Sequence, residues 1–314
     1  MENFFDQQTY QIETGLQIIQ QIVFFEMKSK DFIRCHLRLE NTYLTLFEDC
    51  KEPKVLNTIN IANSYLEFPI HVCMGRGVII KQSIKQLQIF GLSSKILQIL
   101  KLYGIQKDFV TQYKVIKQIG RGGFGKVYKV KNVQNKNLYA VKMFEKQLLL
   151  DSKARQAIIK EVQILRLMNH PNVLSMIECF ESEQCIFLVE ELLDYHLQID
   201  AGCRLKEEQA ILILIKLLNG LEYIHSKNIL HRDIKPNNIL LKYNGDPVIS
   251  DFGLSDFYRS DGNYLFQKCG TNGYYAPEMI TTQNYNFKCF GNYQLVMFLI
   301  CLNFAICQMI VFNQ

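Results

Sequence analysis

Within HRDIKPNN, residues 231–238, a carboxylate, a cation and an amide fall close together: Asp233, Lys235 and Asn238. Those types at that spacing suit transfer of a phosphoryl group. The carboxylate accepts or orients a hydroxyl proton, the ammonium offsets charge in transit, and an amide oxygen ligates Mg²⁺. Thirteen residues after Asn238, Asp251 opens DFG and offers a second ligand for Mg²⁺ bridging phosphates. Phe252 is placed to pack inward and Gly253 to let the backbone turn. His231 reads as a packed histidine rather than a base.

A phosphate cradle precedes this set. Residues 118–127 read QIGRGGFGKV, with Gly120, Gly122 and Gly125 in G-x-G-x-x-G order. Glycines let backbone N–H groups approach phosphates because no Cβ intrudes. A dinucleotide-binding turn uses the same letters but continues into a helix. Here KVYKV and then LYAVKMF follow, two further strands, the second ending its motif at Lys142. Strand, glycine loop, strand and strand with lysine make a hairpin that covers a nucleotide. The next helical stretch, Ser152–Met168, carries Glu161, a carboxylate suited to holding Lys142 extended.

These residues sit in a chain of 314 residues, 48% hydrophobic and 21% charged, which is globular composition with room for about two domains. A net charge of +5 without an aromatic-interleaved basic stripe speaks against a nucleic-acid partner. The ten cysteines show no C-x-x-C pair and no zinc spacing. The N-terminus lacks the pattern of a secretory signal, and a cytoplasmic setting is expected.

Elements of a different kind fill the first third. Residues 7–21 are expected to form a short helix. Strands are expected over 31–40, 42–47, 55–61, 65–72, 78–81 and 86–90, with a tight turn at Glu40-Asn41. Ile96, Leu97, Ile99, Leu100 and Tyr103 then recur at helical spacing after Ser93 as a cap. Strands first and one helix last predict a small antiparallel β domain closed by a helix. That order resembles a pleckstrin-homology domain over residues 22–107, with FIRCHLRLENTYLTLFEDCKEP as its first long hairpin and SSKILQILKLYG as its closing helix. The closing helix lacks the family's usual tryptophan. The resemblance implies a phosphoinositide or membrane surface as a partner, met through Lys28, Lys30, Arg34 and Arg38.

From Tyr113 to residue 280 the chain resembles a eukaryotic protein kinase domain of the serine/threonine type. The glycine loop, Lys142, Glu161, HRDIKPNN, DFG and APE (276–278) stand in that family's order. The lysine at 235 and the threonine in CGTNGYYAPE, Thr271, are serine/threonine features. The resemblance implies a two-lobed α+β fold with a β-rich N-lobe and a helical C-lobe. It implies ATP and Mg²⁺, with Ile119, Gly120, Arg121, Gly122, Gly123, Phe124, Gly125, Lys126 and Val127 roofing the nucleotide. Val127 and Ala140 would lie against adenine, and Lys142 would contact the α- and β-phosphates. The hinge FLVEELL, including Glu191, would bond adenine through its backbone, with Val189 or Glu190 as gatekeeper. Asp233, Lys235, Lys142 and Glu161 take the catalytic roles, Asn238 and Asp251 the metal. Leu165, Met176, His231 and Phe252 would stack between the lobes.

The pattern also breaks. The stretch after the hinge, DYHLQIDAGCRLKEEQA, is short. Gln267 stands four residues before Thr271, where the family places a phosphorylated residue for Arg232 to clasp; Ser255, Ser260 and Tyr264 remain as hydroxyls. Phe290 takes the slot of an aspartate that anchors the catalytic loop, and the C-lobe is expected to be truncated, without the usual partner helix of Glu278. The uncharged tail 290–314 holds an apolar run, 295–312, that could bury in the C-lobe, span a membrane or be no selected structure. The expected organisation is therefore an extension (1–21), a pleckstrin-homology-like domain (22–107), a truncated kinase domain (113–289) and a tail (290–314). The expected activity is ATP- and Mg²⁺-dependent phosphorylation of a protein serine or threonine. The alternative is an ATP-binding, kinase-like scaffold, inactive through its short C-lobe.

Overall fold

The computed structural model describes residues 18–27, 31–50, 53–82, 85–121, 125–149, 151–193, 195–196, 207–258, 266–267, 269–271 and 284–285. The remainder of the expected helix 7–21 below residue 18, Lys28, Lys30, Gly122, Gly123, Phe124, Ser260, Tyr264, the APE triplet and the tail 290–314 lie outside them. The described residues fall into two compact units. One runs to Leu149 and takes in Met176–Glu190; the other holds Asp151–Ser175 and the chain from Glu191 onward.

The first unit opens with an antiparallel meander: β1 (Ile19–Glu26), β2 (Phe32–Glu40), β3 (Tyr43–Glu48) and β4 (Val55–Asn60). Residues 19–21 belong to β1, so the expected helix 7–21 is corrected there. The run Ile22-Val23-Phe24-Phe25 is β-branched and aromatic, favours a pleated surface, and aligns with β2 over eight positions, from Ile19↔Leu39 to Glu26↔Phe32. Alternation then buries one face: Val23, Cys35, Leu37, Leu39, Leu44, Leu46 and Ile59 are all at most 3% exposed. Asn41 takes the left-handed conformation (φ 53°) in the two-residue turn 41–42, one position beyond the expected turn.

The chain continues through β5 (Tyr65–Glu67), β6 (Ile70–His71), β7 (Gly75–Gln82) and β8 (Lys85–Phe90). Pro69 cannot donate to a ladder and splits the strand expected over 65–72. β8 returns to pair with β1. Gly77 is required where β7 meets β8, because a Cβ there would stand 2.6 Å from the carbonyl oxygen of Ile89. Helix α1 (Ser94–Tyr103) follows as expected. Ser93 caps it by accepting from Ile96 N–H at 3.4 Å. Ile96, Leu100 and Tyr103, one face of the helix, close the β core.

Strand β9 (Ile105–Gln106) pairs in parallel with β5 on one side. A short helix α2 (Phe109–Gln112) leads into β10 (Tyr113–Arg121), β11 (Lys126–Asn132) and β12 (Leu138–Glu145). Two later strands, β13 (Met176–Glu181) and β14 (Cys185–Glu191), complete the order β10-β11-β12-β14-β13. The outer edge of β13 is taken by β9, again in parallel, so one sheet runs from β10 to β4. An edge strand is thereby covered rather than left to pair with another chain. Phe109 stacks on Phe187 with centroids 4.2 Å apart and meets Tyr113 and Phe180 in a second apolar cluster.

Two β13 carboxylates secure this junction. Glu178, 2% exposed, accepts from Gln106 Nε2 at 2.5 Å and from the Tyr113 hydroxyl, and pairs with Lys101 Nζ at 3.1 Å. Burial, and then the negative charge of Glu178, push the Tyr113 phenol far above its ordinary range, so Tyr113 remains a donor. Glu181 accepts from the Tyr65 hydroxyl at 3.0 Å and pairs with Lys146 at 2.5 Å.

The second unit contains helix α3 (Ser152–Leu167), capped by Asp151, which accepts from Lys153 N–H at 3.0 Å. It also contains helix α4 (Glu207–Ser226), whose Ala210, Ile213, Leu217, Leu221 and Ile224 form the buried stripe. Short ribbons complete it: β15 (Tyr195–His196) with β17 (Ile239–Leu241) and β18 (Pro247–Ile249), β16 (Ile229–Leu230) with β19 (Asp256–Phe257), and β20 (Phe266–Gln267) with β21 (Asn284–Tyr285). Among the described residues no helix is long and apolar enough to cross a membrane.

Candidate active site

In the first unit the hairpin expected around the glycine loop is present. Ile119, Gly120 and Arg121 end β10, Lys126 and Val127 open β11, and Ala140 and Lys142 lie on β12. Register sets Gly120 against Val127 and Val127 against Lys142. Because strand side chains alternate, Ala140 and Lys142 share a face of β12. Both are buried, and Lys142 Nζ lies 5.6 Å from the Phe144 ring centroid. Gly125 has a steric reason to be glycine, since a Cβ would come within 2.6 Å of the Met143 carbonyl oxygen. Lys126 is ion-paired to Glu145 at 2.7 Å.

The remaining candidates lie in the second unit. Glu161 is 3% exposed on α3. Glu191 donates its N–H to the Ser175 carbonyl at 3.2 Å and faces Lys242 Nζ at 3.6 Å. The structure brings Asp233, Lys235 and Asn238 into one network. Lys235 Nζ contacts Asp233 Oδ2 at 2.7 Å, and Asn238 Nδ2 donates to Asp233 Oδ2 at 2.9 Å and to its carbonyl at 2.8 Å. Thr271 joins them. Its hydroxyl donates to Asp233 Oδ1 at 2.7 Å and accepts from Lys235 Nζ at 2.6 Å. Asp233 thus holds a hydroxyl on Oδ1 and a cation on Oδ2.

The loop under Asp233 is fixed by His231, which is 2% exposed. Its Nε2 meets the Ser250 carbonyl at 2.9 Å and its Nδ1 accepts from Asp233 N–H at 3.3 Å. A carbonyl can only accept, so Nε2 carries the proton and Nδ1 is bare. Burial, the dominant cause, lowers the His231 pKa below its ordinary value and keeps the ring neutral, as this bonding requires. His231 packs edge-on against Phe252, with centroids 5.0 Å apart, and serves structure rather than proton transfer. Ser250 ties the loop further through N–H and Oγ bonds to the Asn238 carbonyl, at 2.8 and 3.0 Å.

Asp251 takes the left-handed conformation (φ 62°), which costs a residue with a Cβ about 1–2 kcal/mol. That geometry leaves Asp251 exposed while Phe252 is 1% exposed. Leu165 and Met176, the other residues expected in the apolar stack, are each buried within their own units. The donor types of Asn238 and Asp251, an amide oxygen and a carboxylate, fit Mg²⁺. Both amide protons of Asn238 are committed to Asp233, which leaves Oδ1 as its ligating atom, and Asp251 offers an exposed carboxylate. Among the described residues no group of three or more His, Cys, Asp or Glu side chains is placed to hold a metal. Two protein ligands suit an ion whose other positions are water and phosphate oxygens.

Sequence spacing marks Asp233, Lys235, Asn238 and Asp251 but gives no hint of Ser250 or Asp256, whose parts follow from tertiary contacts alone. Ser255, retained from sequence as a hydroxyl open to modification, is 4% exposed and donates to the His231 carbonyl at 3.1 Å.

The chain is 36% identical over 181 residues to CBL-interacting protein kinase 11 of Oryza sativa subsp. japonica, covering 56% of this chain and 36% of that protein. It is 38% identical over 186 residues to CBL-interacting serine/threonine-protein kinase 26 of Arabidopsis thaliana, covering 56% and 42%. It is 34% identical over 181 residues to the carbon catabolite-derepressing protein kinase of Candida glabrata, covering 56% and 29%. The chain thus spans less than half the length of these relatives. The family model described as protein kinase domain matches residues 113–290, more than half of the chain, which therefore belongs to the protein kinase family.

Proposed function

We propose that this chain is a serine/threonine protein kinase that transfers the γ-phosphate of ATP to a protein hydroxyl. The observation that carries the reading is the Asp233–Thr271–Lys235 triangle, in which a carboxylate holds a hydroxyl next to an ammonium. Asp233 orients the acceptor hydroxyl and takes its proton, Lys235 offsets charge on the group in transit, and Asn238 holds Asp233 in place. The glycine hairpin with Val127, Ala140 and Lys142 binds the nucleotide. Mg²⁺ would be held by Asn238 and Asp251 and would neutralise phosphate charge. Lys235 and Thr271 favour serine or threonine as acceptor. Purified protein with Mg-ATP and peptides bearing serine, threonine or tyrosine tests this. Phosphoserine or phosphothreonine is expected, and phosphotyrosine alone would overturn it.

We read the N-terminal region as pleckstrin-homology-like. Its support is a four-strand meander, three further principal strands and a closing helix, beginning at Ile19 rather than at residue 22. Of the basic residues expected to meet a phosphoinositide, Arg34 pairs with Asp49 at 3.1 Å and Arg38 with Glu40 at 2.7 Å. Lys28 and Lys30 lie outside the described residues, and the protein substrate is the partner we carry forward.

A further inference from the structure

Asp256 stands five residues beyond Asp251, at the start of β19, and belongs to none of the motifs above. Its side chain is 11% exposed and faces two cations. Oδ1 lies 2.7 Å from Lys160 Nζ, and Oδ2 lies 3.4 Å from Arg232 Nη2. Phe257 N–H donates to Oδ1 at 2.9 Å, and the pairing of β19 with β16 fixes the backbone beneath. Arg232, 13% exposed, is left-handed (φ 67°), and its Nε donates to the Leu254 carbonyl at 2.6 Å.

The two cations are placed meaningfully. Arg232 immediately precedes Asp233, and Lys160 immediately precedes Glu161 on α3. A carboxylate bridging them ties the catalytic loop, α3 and the start of the segment after DFG at one point. A guanidinium this buried requires an anion, because desolvation without a counter-charge is strongly unfavourable. In the pattern the sequence resembles, a phosphate near Gln267 supplies that anion, but glutamine has no hydroxyl to phosphorylate. The hydroxyl of Ser255 is buried and engaged with the His231 carbonyl.

We propose that Asp256 is a built-in anionic anchor, a positioning residue that holds Arg232 and Lys160 and sets the catalytic loop without a phosphate on the segment between Asp251 and Thr271. The inference rests on the kinase reading above. It makes the chain constitutively organised, with a carboxylate where a modification would otherwise act.

The test uses the full chain, stripped with a protein phosphatase and verified by intact mass. Stripped wild type should keep its kcat within twofold. Asp256→Asn retains shape and the acceptor for Phe257 N–H, yet should lower kcat at least tenfold with the ATP KM changed less than threefold. Asp256→Glu should recover most of the loss, which a merely packed residue would not show. Loss of wild-type activity on stripping, or an Asp256→Asn kcat equal to wild type, would overturn the proposal. Amide exchange is the second arm. Asp256→Asn should speed exchange at residues 229–238 and in α3 about tenfold, with Asp256→Glu near wild type; unchanged exchange would also overturn it. If the wild type transfers no phosphate, the kinase reading fails, and the exchange arm still decides whether Asp256 anchors the loop.

Discussion

Replacing Glu178 with alanine should destabilise the first unit far more than loss of a surface carboxylate would. Glu178 is 2% exposed and receives three donors. Lys101, 33% exposed, can turn to water at little cost. Gln106 and Tyr113 cannot, being 1% and 3% exposed. Each orphaned buried donor costs about 1–3 kcal/mol, or about 2–6 kcal/mol for the pair. Removing the buried carboxylate relieves its own desolvation and trims the upper end, which leaves an expected net loss of about 2–4 kcal/mol. That is a large fraction of the ~5–15 kcal/mol that stabilises a typical domain. The chain has no tryptophan, so urea unfolding is best followed by far-UV circular dichroism, with amide exchange in β9 and β13 as the local readout. A cycle with Tyr113→Phe isolates the pair: the double variant should lose markedly less than the sum of the singles. A Glu178→Ala loss below about 1 kcal/mol, or strict additivity with Tyr113→Phe, would refute the claim that this carboxylate secures the junction.

Three further outcomes are expected. Gly125→Ala drives a Cβ into the Met143 carbonyl and should raise the ATP KM several-fold with a smaller effect on kcat, read from initial rates. Asn238→Ala removes two bonds to Asp233 and the oxygen we propose as a Mg²⁺ ligand, and should raise the Mg²⁺ needed for half-maximal rate by about tenfold or more. The pKa of His231 is lowered in the fold by burial, while the unfolded ring titrates near about 6.5. Below that value the unfolded chain binds more protons, so stability should be full above it and fall as pH drops from 7.5 to 5.5. Burial lowers His170 and His225 as well, so urea midpoints of wild type and His231→Gln are compared across that range, and an equal slope in the two would show that His231 is not held neutral.

The chemistry of the site was legible because it lies in short runs. HRDIKPNN places Asp233, Lys235 and Asn238 within six residues, and the structure joins them directly. Strand alternation and the Ser93 cap likewise located β2, β3, β4, β7, β8 and α1, while β5 and β6 were read as one strand that Pro69 divides. β1 was hidden because Gln20 and Gln21 suit a helix as well as a strand, and only pairing with β2 and β8 decides the matter. α4 escaped because apolar residues crowd its whole circumference in AILILIKLL, which blurs the helical period. The parallel seating of β9 between β5 and β13, and the buried carboxylates of Glu178 and Asp256, are long-range arrangements that no local pattern announces.

The central claim is that Asp233 aligns an acceptor hydroxyl for phosphoryl transfer from ATP. Its most direct test is the rate of phosphate transfer from Mg-ATP to a serine/threonine peptide by the purified 314-residue chain and by Asp233→Asn. The account predicts measurable transfer by the wild type and a loss of about 10²–10⁴-fold in the variant, with nucleotide binding intact. Folded wild-type protein that binds ATP but transfers nothing, or transfer indifferent to Asp233→Asn, would contradict it.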